Sequence, residues 1–266
     1  MFKILILRTL YNLADEQVEY QIRDRLSFAR FLGLGLEDAV ADATTVWRFR
    51  ERLKALGLLK TLFHRVDDFL ATAGFQARHG QLIDATIVPV PIQRNHREEN
   101  RRIKEGEVAA DWSGAKRAQK DVAGRWTGKR GKQSFGDKNH LGVDAEHKLI
   151  RTFEATPANV PDSRVLDALL DPDNEDPGVW ADSAYRSEET ERVLEDAGYD
   201  SHINEKGHRA HPLSDEQQAN HRKRSKIRSR VEHIFGVQEN SMKGKFIRTI
   251  GFGSCRSQDR PHEPDL

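Results

Sequence analysis

The sequence predicts a mixed α/β fold preceded by an all-helical region, because two kinds of hydrophobic pattern divide the 266 residues. Residues 1–78 carry apolar residues at helical spacing. From Gln81 onward, short β-branched apolar segments alternate with helical ones as far as about residue 240. A hairpin followed by alternating helices and strands is typical of a mixed sheet with helices on its faces.

The helical region is expected to contain three main helices. Asp15 and Thr44 are the predicted N-caps of the first two, and the first runs toward Phe31. The third covers residues 58–73 and ends at Gly74. Such a cluster suits a DNA-binding module, a dimerisation module or a scaffold, and the helical pattern does not choose between them.

The α/β region, residues 79–240, is predicted to be one domain. Its expected elements are a buried strand at 81–88, a hairpin of 140–144 and 149–156, a helix at 163–170, a strand at 178–182, a helix at 187–197, a strand at 201–204 and a basic helix at about 217–237. Residues 94–131 are basic and lack periodicity, which predicts a mobile arm that orders on DNA. Trp112 and Trp126 in this arm are candidates for stacking on unpaired bases.

Composition excludes several classes of protein. The single cysteine, Cys255, rules out a disulfide framework and a cysteine-rich zinc or iron–sulfur site. No apolar run approaches the roughly 20 residues that span a bilayer, so a cytoplasmic protein is expected. Neither a Gly-x-Ser-x-Gly turn nor a Gly-x-x-x-x-Gly-Lys-Ser/Thr phosphate loop occurs.

Charge is balanced overall, with 43 Lys and Arg against 42 Asp and Glu, but it is segregated along the chain. The net charge is +6 over residues 94–138 (13 basic, 7 acidic), −10 over 162–200 (3 basic, 13 acidic) and +7 over 206–248 (11 basic, 4 acidic). Two basic blocks around an acidic one indicate a polyanionic partner and a metal site, or else merely solvated faces.

Three carboxylates lie beside apolar segments that the predicted architecture brings together. Asp84 interrupts the first buried strand, Asp182 ends the strand that follows the hairpin, and Glu232 lies at the edge of the apolar stripe of the last helix. Each could instead be a strand-end, turn or surface acid. Jointly, they offer hard oxygen ligands that suit one or two Mg²⁺ or Mn²⁺ ions. Two such ions stabilise attacking and leaving oxygens in phosphoryl transfer.

Six stretches occur in a characteristic order: residues 82–87, 119–127, 135–144, 180–186, 227–235 and 246–251. Together they resemble the insertion-sequence-five family of bacterial DDE transposases over nearly the whole chain. The resemblance implies an RNase H-like catalytic domain that uses Mg²⁺, with Mn²⁺ as a substitute. It places the family's catalytic and metal-binding residues at Asp84, Asp182 and Glu232. The implied activity is cleavage and strand transfer at the ends of a mobile element.

The resemblance also implies residues that contact DNA. Tyr185 and Arg186 follow the second aspartate, and Arg228 lies one helical turn before Glu232, where it can contact phosphate or orient the glutamate. Further predicted DNA-binding residues are Arg222, Lys223, Arg224, Lys226, Arg230, Arg125, Lys129, Arg130 and Lys132. These cations would supply salt-sensitive affinity for the backbone.

The expected partners are double-stranded DNA, as terminal inverted repeats and target, and a second copy of the chain on that DNA, at the nucleoid and without a membrane. Relatives carry several tens of residues before the position of Met1, and their sequence after Gly251 is a basic apolar helix that Pro261 and Pro264 exclude here. The chain is therefore expected to be truncated at its N-terminus. Its tail, 241–266, is expected to be disordered, and from about Gly251 onward it is expected to be frameshifted. Two alternatives stay open: a nuclease of the same fold that cuts without joining, and a catalytically silent DNA-binding remnant.

Overall fold

The structure is a computed structural model that describes residues 1–90, 92, 95–105, 112–113, 116, 123–129, 131–205, 207 and 213–242. Within these residues the chain divides into two compact units. The helical unit comprises Met1–Phe69 together with residues 237–242, and the sheet unit comprises Leu70–Gly236. No helix in this part of the chain is long and apolar enough to cross a bilayer.

Five helices account for the first 72 residues. They are α1 (Phe2–Leu10), α2 (Asp15–Asp24), α3 (Leu26–Leu32), α4 (Ala43–Ala55) and α5 (Leu58–Thr72). The core of the helical unit is a cluster of buried apolar side chains: Ile4, Leu7, Val18, Ile22, Phe28 and Val46. The predicted all-helical region is confirmed.

Four details of the predicted helices are wrong. Helix α1 is not among the three expected helices. The N-cap of α2 is Ala14 instead of Asp15, which is the first residue of the helix. The helix expected to run from Asp15 toward Phe31 is divided, because Arg25 between α2 and α3 has an extended backbone (φ −108°, ψ 110°). The N-cap of α4 is Asp42 instead of Thr44, and its carboxylate accepts a hydrogen bond from the backbone N–H of Thr45 at 2.6 Å. Aspartate in this position satisfies one of the amide groups that a helix start leaves without a partner.

The sheet unit is built on six strands in the described residues. They are β1 (Gln81–Pro89), β2 (Arg125–Lys129), β3 (Lys132–Asp144), β4 (Ile150–Pro157), β5 (Gly178–Ala181) and β6 (Asp200–Ser201). Strand β3 pairs antiparallel with β1, β2 and β4, whereas β1–β5 and β5–β6 are parallel. The predicted mixed sheet is confirmed, and its topology is RNase H-like.

Four helices accompany the sheet in the described residues: α6 (Arg97–Lys104), α7 (Leu166–Leu169), α8 (Glu188–Asp196) and α9 (Asp215–Gly236). A 3₁₀ turn (Asp162–Arg164) precedes α7, and a π-helical turn (Val237–Ser241) follows α9. The predicted cap of α8 is confirmed, since the Ser187 hydroxyl accepts from the Thr190 N–H at 3.0 Å. The helix expected at 163–170 is only the 3₁₀ turn and α7.

The predicted mobile arm, 94–131, contains regular structure where it is described. Strand β2 extends the sheet along β3, because its residues pair with 132–136. Trp126 packs on Phe135 with ring centroids 5.4 Å apart and stays half exposed, but Trp112 is buried beneath the Lys116 ammonium. Of the two tryptophans, only Trp126 is exposed enough to remain a candidate for stacking on a base. Residues 106–111, 117–122 and most of the predicted tail, 243–266, lie outside the described part.

The two faces of the sheet pack against different helices. Ile83 belongs to one apolar cluster with α7, α8 and Val179. Leu82 belongs to the other, with Val231 and Phe235 of α9. Because successive side chains of a strand point to opposite faces, this alternation determines which residues of β1 lie on the α9 side.

Candidate active site

Asp84 and Asp182 occupy equivalent positions on neighbouring parallel strands. The last register pair of β1 and β5 is Ile83 with Ala181, and the next residue of the chain is an aspartate in both cases: Asp84 within β1 and Asp182 directly after β5. Neighbouring strands lie about 4.8 Å apart, so we expect these two aspartates to lie side by side. The sheet thus unites two residues that are 98 positions apart in the chain (182 − 84).

The apolar residues before the two aspartates indicate the face of the sheet on which each is expected. Asp84 lies two residues after Leu82, and Asp182 lies two residues after Trp180, and both of these apolar residues pack in the α9 cluster. Residues two apart in a strand share a face, and the contact of Asp84 with Arg228 of α9 agrees with this rule. Asp182 follows the end of β5, so the same face is an expectation for its carboxylate. Helix α9 also carries Glu232, whose approach to the two aspartates remains a prediction.

The carboxylate of Asp84 is held by an arginine of α9. Arg228 Nη1 donates to Asp84 Oδ2 at 2.6 Å, and the backbone N–H of Ala85 donates to Oδ1 at 2.8 Å. The two ionised side chains are largely buried, with 14% of Asp84 and 20% of Arg228 exposed. A hydrogen bond between two ionised groups is short and strong, and this one anchors α9 to β1.

The helical pairing expected between Arg228 and Glu232 is not present. Arg228 takes its long-range partner Asp84, and Glu232 is exposed without an ion pair among the described residues. The reason is burial: a carboxylate shielded by the sheet attracts the guanidinium more strongly than an exposed one in the same helix.

Asp182 is positioned by the turn that follows β5. Its Oδ1 accepts a hydrogen bond from the backbone N–H of Ala184 at 2.7 Å, and its backbone carbonyl accepts from the N–H of Tyr185 at 3.1 Å. The second oxygen, Oδ2, has no hydrogen-bond partner in the described part of the chain. Asp182 is therefore oriented by its own turn and keeps one oxygen for a ligand.

Tyr185 does not lie where a DNA strand could contact it. Its side chain is fully buried, and its hydroxyl lies 3.4 Å from Nδ1 of His140, whose Nε2 is 2.9 Å from the hydroxyl of Thr156. The predicted DNA contact of Tyr185 therefore does not fit this structure. The sequence signal for its position is the Asp-x-x-Tyr turn, which returns the ring to the core.

Burial determines the protonation of this tyrosine–histidine pair. Burial raises the pKa of Tyr185 far above its ordinary value, and the carboxylates of Asp162, Asp84 and Asp182 raise it further. Burial lowers the pKa of His140 to about 4, against an opposing effect of Asp162. Both groups are neutral near pH 7, so they add no positive charge behind the aspartates.

The predicted DNA-binding cations separate into two groups. Arg222, Lys223, Lys226 and Lys132 are exposed and have no ion pair or side-chain hydrogen bond in the described residues. In the second group, the arginine side chains donate hydrogen bonds to backbone carbonyls of the protein. Arg125 donates to the carbonyls of Ala123, Gly124 and Ile103, Arg224 to Ile203, and Arg230 to Ala145.

Three of the predicted DNA-binding cations remain: Arg186, Lys129 and Arg130. Arg186 Nε lies 3.3 Å from Glu191 Oε1, and its Nη1 donates to the carbonyl of Ile203, so it is held by the protein. Lys129 belongs to β2, and its side chain is outside the description, as is all of Arg130. Four exposed cations therefore carry the prediction of a DNA surface.

Sequence reasoning missed a second cluster of ligand-type side chains. In the described part of the chain, the group of three such residues whose ligand atoms all lie within 4.8 Å of one another is His79, Glu146 and His147. The adjacent pair Glu146–His147 in the hairpin turn was a weak signal. His79, 67 residues before Glu146, had none (146 − 79).

The RNase H-like sheet, with an aspartate directly after each residue of the last parallel register pair, is the arrangement expected of a DDE protein. Residues 76–253 match the family described as Transposase DDE domain, and residues 1–52 match the family described as Transposase domain (DUF772). The first match covers more than half of the chain, which therefore belongs to the family of DDE transposases. No solved structure matches the chain.

Proposed function

We propose that the chain cuts the ends of an insertion sequence and joins the freed 3′-hydroxyls to target DNA, with Asp84, Asp182 and Glu232 as its catalytic carboxylates. The observation that carries this proposal is the register of β1 and β5 in a DDE transposase, because its last pair, Ile83 with Ala181, directly precedes two aspartates. The insertion-sequence-five subfamily remains a prediction of the sequence.

The donor set fits a hard divalent cation. Carboxylate oxygens are the ligands that Mg²⁺ and Mn²⁺ prefer, and Asp182 Oδ2 is available to such an ion. When bound, a cation of this class lowers the pKa of water and neutralises charge on the phosphate. Asp84, Asp182 and Glu232 are the residues that would hold it.

Arg228 has a defined part in this site. It pairs with the Asp84 carboxylate in the structure and therefore offsets repulsion between neighbouring carboxylates. Its planar guanidinium also matches the oxygens of a phosphate. We infer that Arg228 moves from Asp84 to the DNA phosphate when the site is filled, so that it positions the scissile strand beside the carboxylates.

The outer surface of α9 is the proposed DNA-backbone contact. Arg222 and Lys226 are four residues apart and so lie one above the other on the helix, with Lys223 beside them. All three are exposed. Each phosphate neutralised by such a cation makes affinity fall more steeply with salt.

Two variants on DNA from the ends of the element test this proposal. Asp182→Asn should lose Mg²⁺-dependent nicking and joining by more than about 100-fold and keep DNA binding, since it removes a metal ligand and no phosphate contact. The triple variant Arg222→Gln, Lys223→Gln and Lys226→Gln should bind weakly, and its slope of log affinity against log salt should fall by about 3. Nicking, joining and binding are measured separately.

Matched controls come from exposed residues outside the site. Asp167→Asn, the control for Asp182→Asn, should cleave DNA normally. The triple variant Lys148→Gln, Arg164→Gln and Arg192→Gln, the control for the helix α9 variant, should keep the salt slope of the unaltered chain. Nicking without joining would identify a nuclease, and binding without either reaction by the unaltered chain would identify a silent DNA-binding protein. Full cleavage by Asp182→Asn would refute the catalytic assignment.

A further inference from the structure

A cluster of two histidines and one glutamate lies at the N-terminal end of β1. His79 precedes β1, and Glu146 and His147 form the turn between β3 and β4. Nδ1 of His79 lies 3.8 Å from Oε2 of Glu146, and the rings of His79 and His147 have centroids 5.5 Å apart. All three residues are exposed to solvent, so an ion could reach them.

A buried aspartate holds the two histidines in place. The side chain of Asp144 is fully buried, and its Oδ2 accepts from the backbone N–H of His79 at 2.7 Å. Its Oδ1 accepts from the backbone N–H of His147 and lies 3.1 Å from Nδ1 of the same ring. An imidazole that donates through Nδ1 presents Nε2 to a metal, which is the usual carboxylate–histidine–metal arrangement.

We propose that His79, Glu146 and His147 bind a Zn²⁺-type transition-metal ion. Two imidazoles and one carboxylate are a borderline donor set that suits Zn²⁺, whose fourth tetrahedral position water would complete. Mg²⁺ prefers oxygen ligands and should compete poorly. Asp144 orients the cluster and does not ligate, because its two oxygens already accept hydrogen bonds from the chain.

The site is separate from the catalytic carboxylates. In the pairing of β1 with β3, Asp144 stands opposite Gln81, whereas Asp84 stands opposite Leu141. Three strand residues correspond to about 10 Å along β1. A bound ion would link the segment before β1 to the hairpin turn and so stabilise the strand that carries Asp84. This inference does not depend on the proposed reaction.

Zinc binding by the metal-stripped full-length chain tests the proposal directly. ZnCl₂ is titrated by calorimetry in a buffer with about 5 mM MgCl₂. The Mg²⁺ is present to occupy sites made of carboxylates, so that the added Zn²⁺ reports on the histidine cluster. We expect one saturable site, a rise in melting temperature with Zn²⁺, and at least about 10-fold weaker Zn²⁺ binding in His79→Gln, His147→Gln and Glu146→Gln. Glu146→Gln is the variant expected to keep the fold, since the Glu146 side chain is 63% exposed.

Two control variants separate this site from other ligands. His64→Gln removes an exposed histidine of α5, and Asp182→Asn removes a catalytic carboxylate, so neither should change the zinc affinity. Unchanged zinc affinity in Glu146→Gln and His147→Gln would overturn the proposal. An equal loss in His64→Gln would do so as well, because it would indicate dispersed binding by surface histidines.

Discussion

The helical unit and the sheet unit each contain a largely buried aspartate that is paired with arginine: Asp15 and Asp84. We propose a structural role for the first and a catalytic role for the second. Asp15 in α2 and Asp84 in β1 have side chains that are each 14% exposed. Arg8 lies 2.7 Å from Asp15 Oδ1, and Arg50 lies 2.9 Å from its Oδ2. Arg228 lies 2.6 Å from Asp84 Oδ2. Distance and burial alone do not distinguish these ion pairs.

The neighbouring carboxylates do distinguish them. Asp15 is one carboxylate between two guanidinium groups, all from helices of the same unit. Asp84 pairs with Arg228, and a second aspartate, Asp182, follows the strand next to it. Two adjacent carboxylates repel each other and favour a bound cation, whereas a single carboxylate between two arginines anchors helices. Under the proposed function, the second carboxylate is what separates the Asp84 pair from the Asp15 pair.

The largest expected difference is in DNA cleavage. Asp84→Asn should lower Mg²⁺-dependent nicking by more than about 100-fold, because it removes a metal ligand and the partner of Arg228. Asp15→Asn should leave nicking within about 2-fold of the unaltered chain at a temperature where both are folded. Cleavage is measured on the same end DNA. Equal loss in the two variants would erase the proposed distinction.

A pH effect caused by His140 should appear in the sheet unit, which contains this histidine. His140 titrates near pH 4 when folded and near 6.5 when unfolded, so the unfolded chain binds more protons between these values. The free energy of unfolding should therefore fall by about 3 kcal/mol as the pH drops from 6.5 to 4, and should be independent of His140 above 6.5.

Hydrogen exchange of β3 amides against α2 amides measures this effect locally. His140→Gln should flatten the acid dependence of β3 protection, whatever stability it loses at pH 7. His64→Gln, which removes an exposed histidine, should preserve it. Acid loss of protection that is equal in β3 and α2, or unaltered in His140→Gln, would show that His140 does not cause it.

The smallest expected effect is on stability. Asp15→Asn leaves two partly buried guanidinium groups without their carboxylate, and should lower the free energy of unfolding by about 2 kcal/mol. Asp84→Asn should cost less, because it also relieves repulsion between two carboxylates. Urea denaturation at low salt compares them. A greater loss in Asp84→Asn would mean that its pair with Arg228 is chiefly structural.

Much of the fold followed from local pattern. The apolar run of β1, the period of α9 and the cap of α8 are properties of adjacent residues, and all three appear as predicted. The same local reasoning placed Asp84 and Asp182 beside buried strands. Their meeting at one edge follows from the general rule that parallel strands end together.

Other features depend on residues far apart in the chain. Arg228 is 144 positions from Asp84, and no helical spacing could reveal that it would prefer this partner to Glu232. Strand β2 had too little periodicity to be recognised, and only pairing with β3 makes it a strand. The burial of Tyr185 likewise depends on distant residues, because its ring packs in the apolar cluster formed by β1, β5, α7 and α8.

The sequence by itself determined the class of fold, the family and the three candidate carboxylates, because hydrophobic period and strand-end acids are encoded in neighbouring residues. Only the tertiary structure decided which charges meet. It paired Asp84 with Arg228, buried Tyr185, and brought His79 close to Glu146 and His147. The physical reason is that ion pairs and burial depend on distance in space, which chain folding determines and sequence spacing does not.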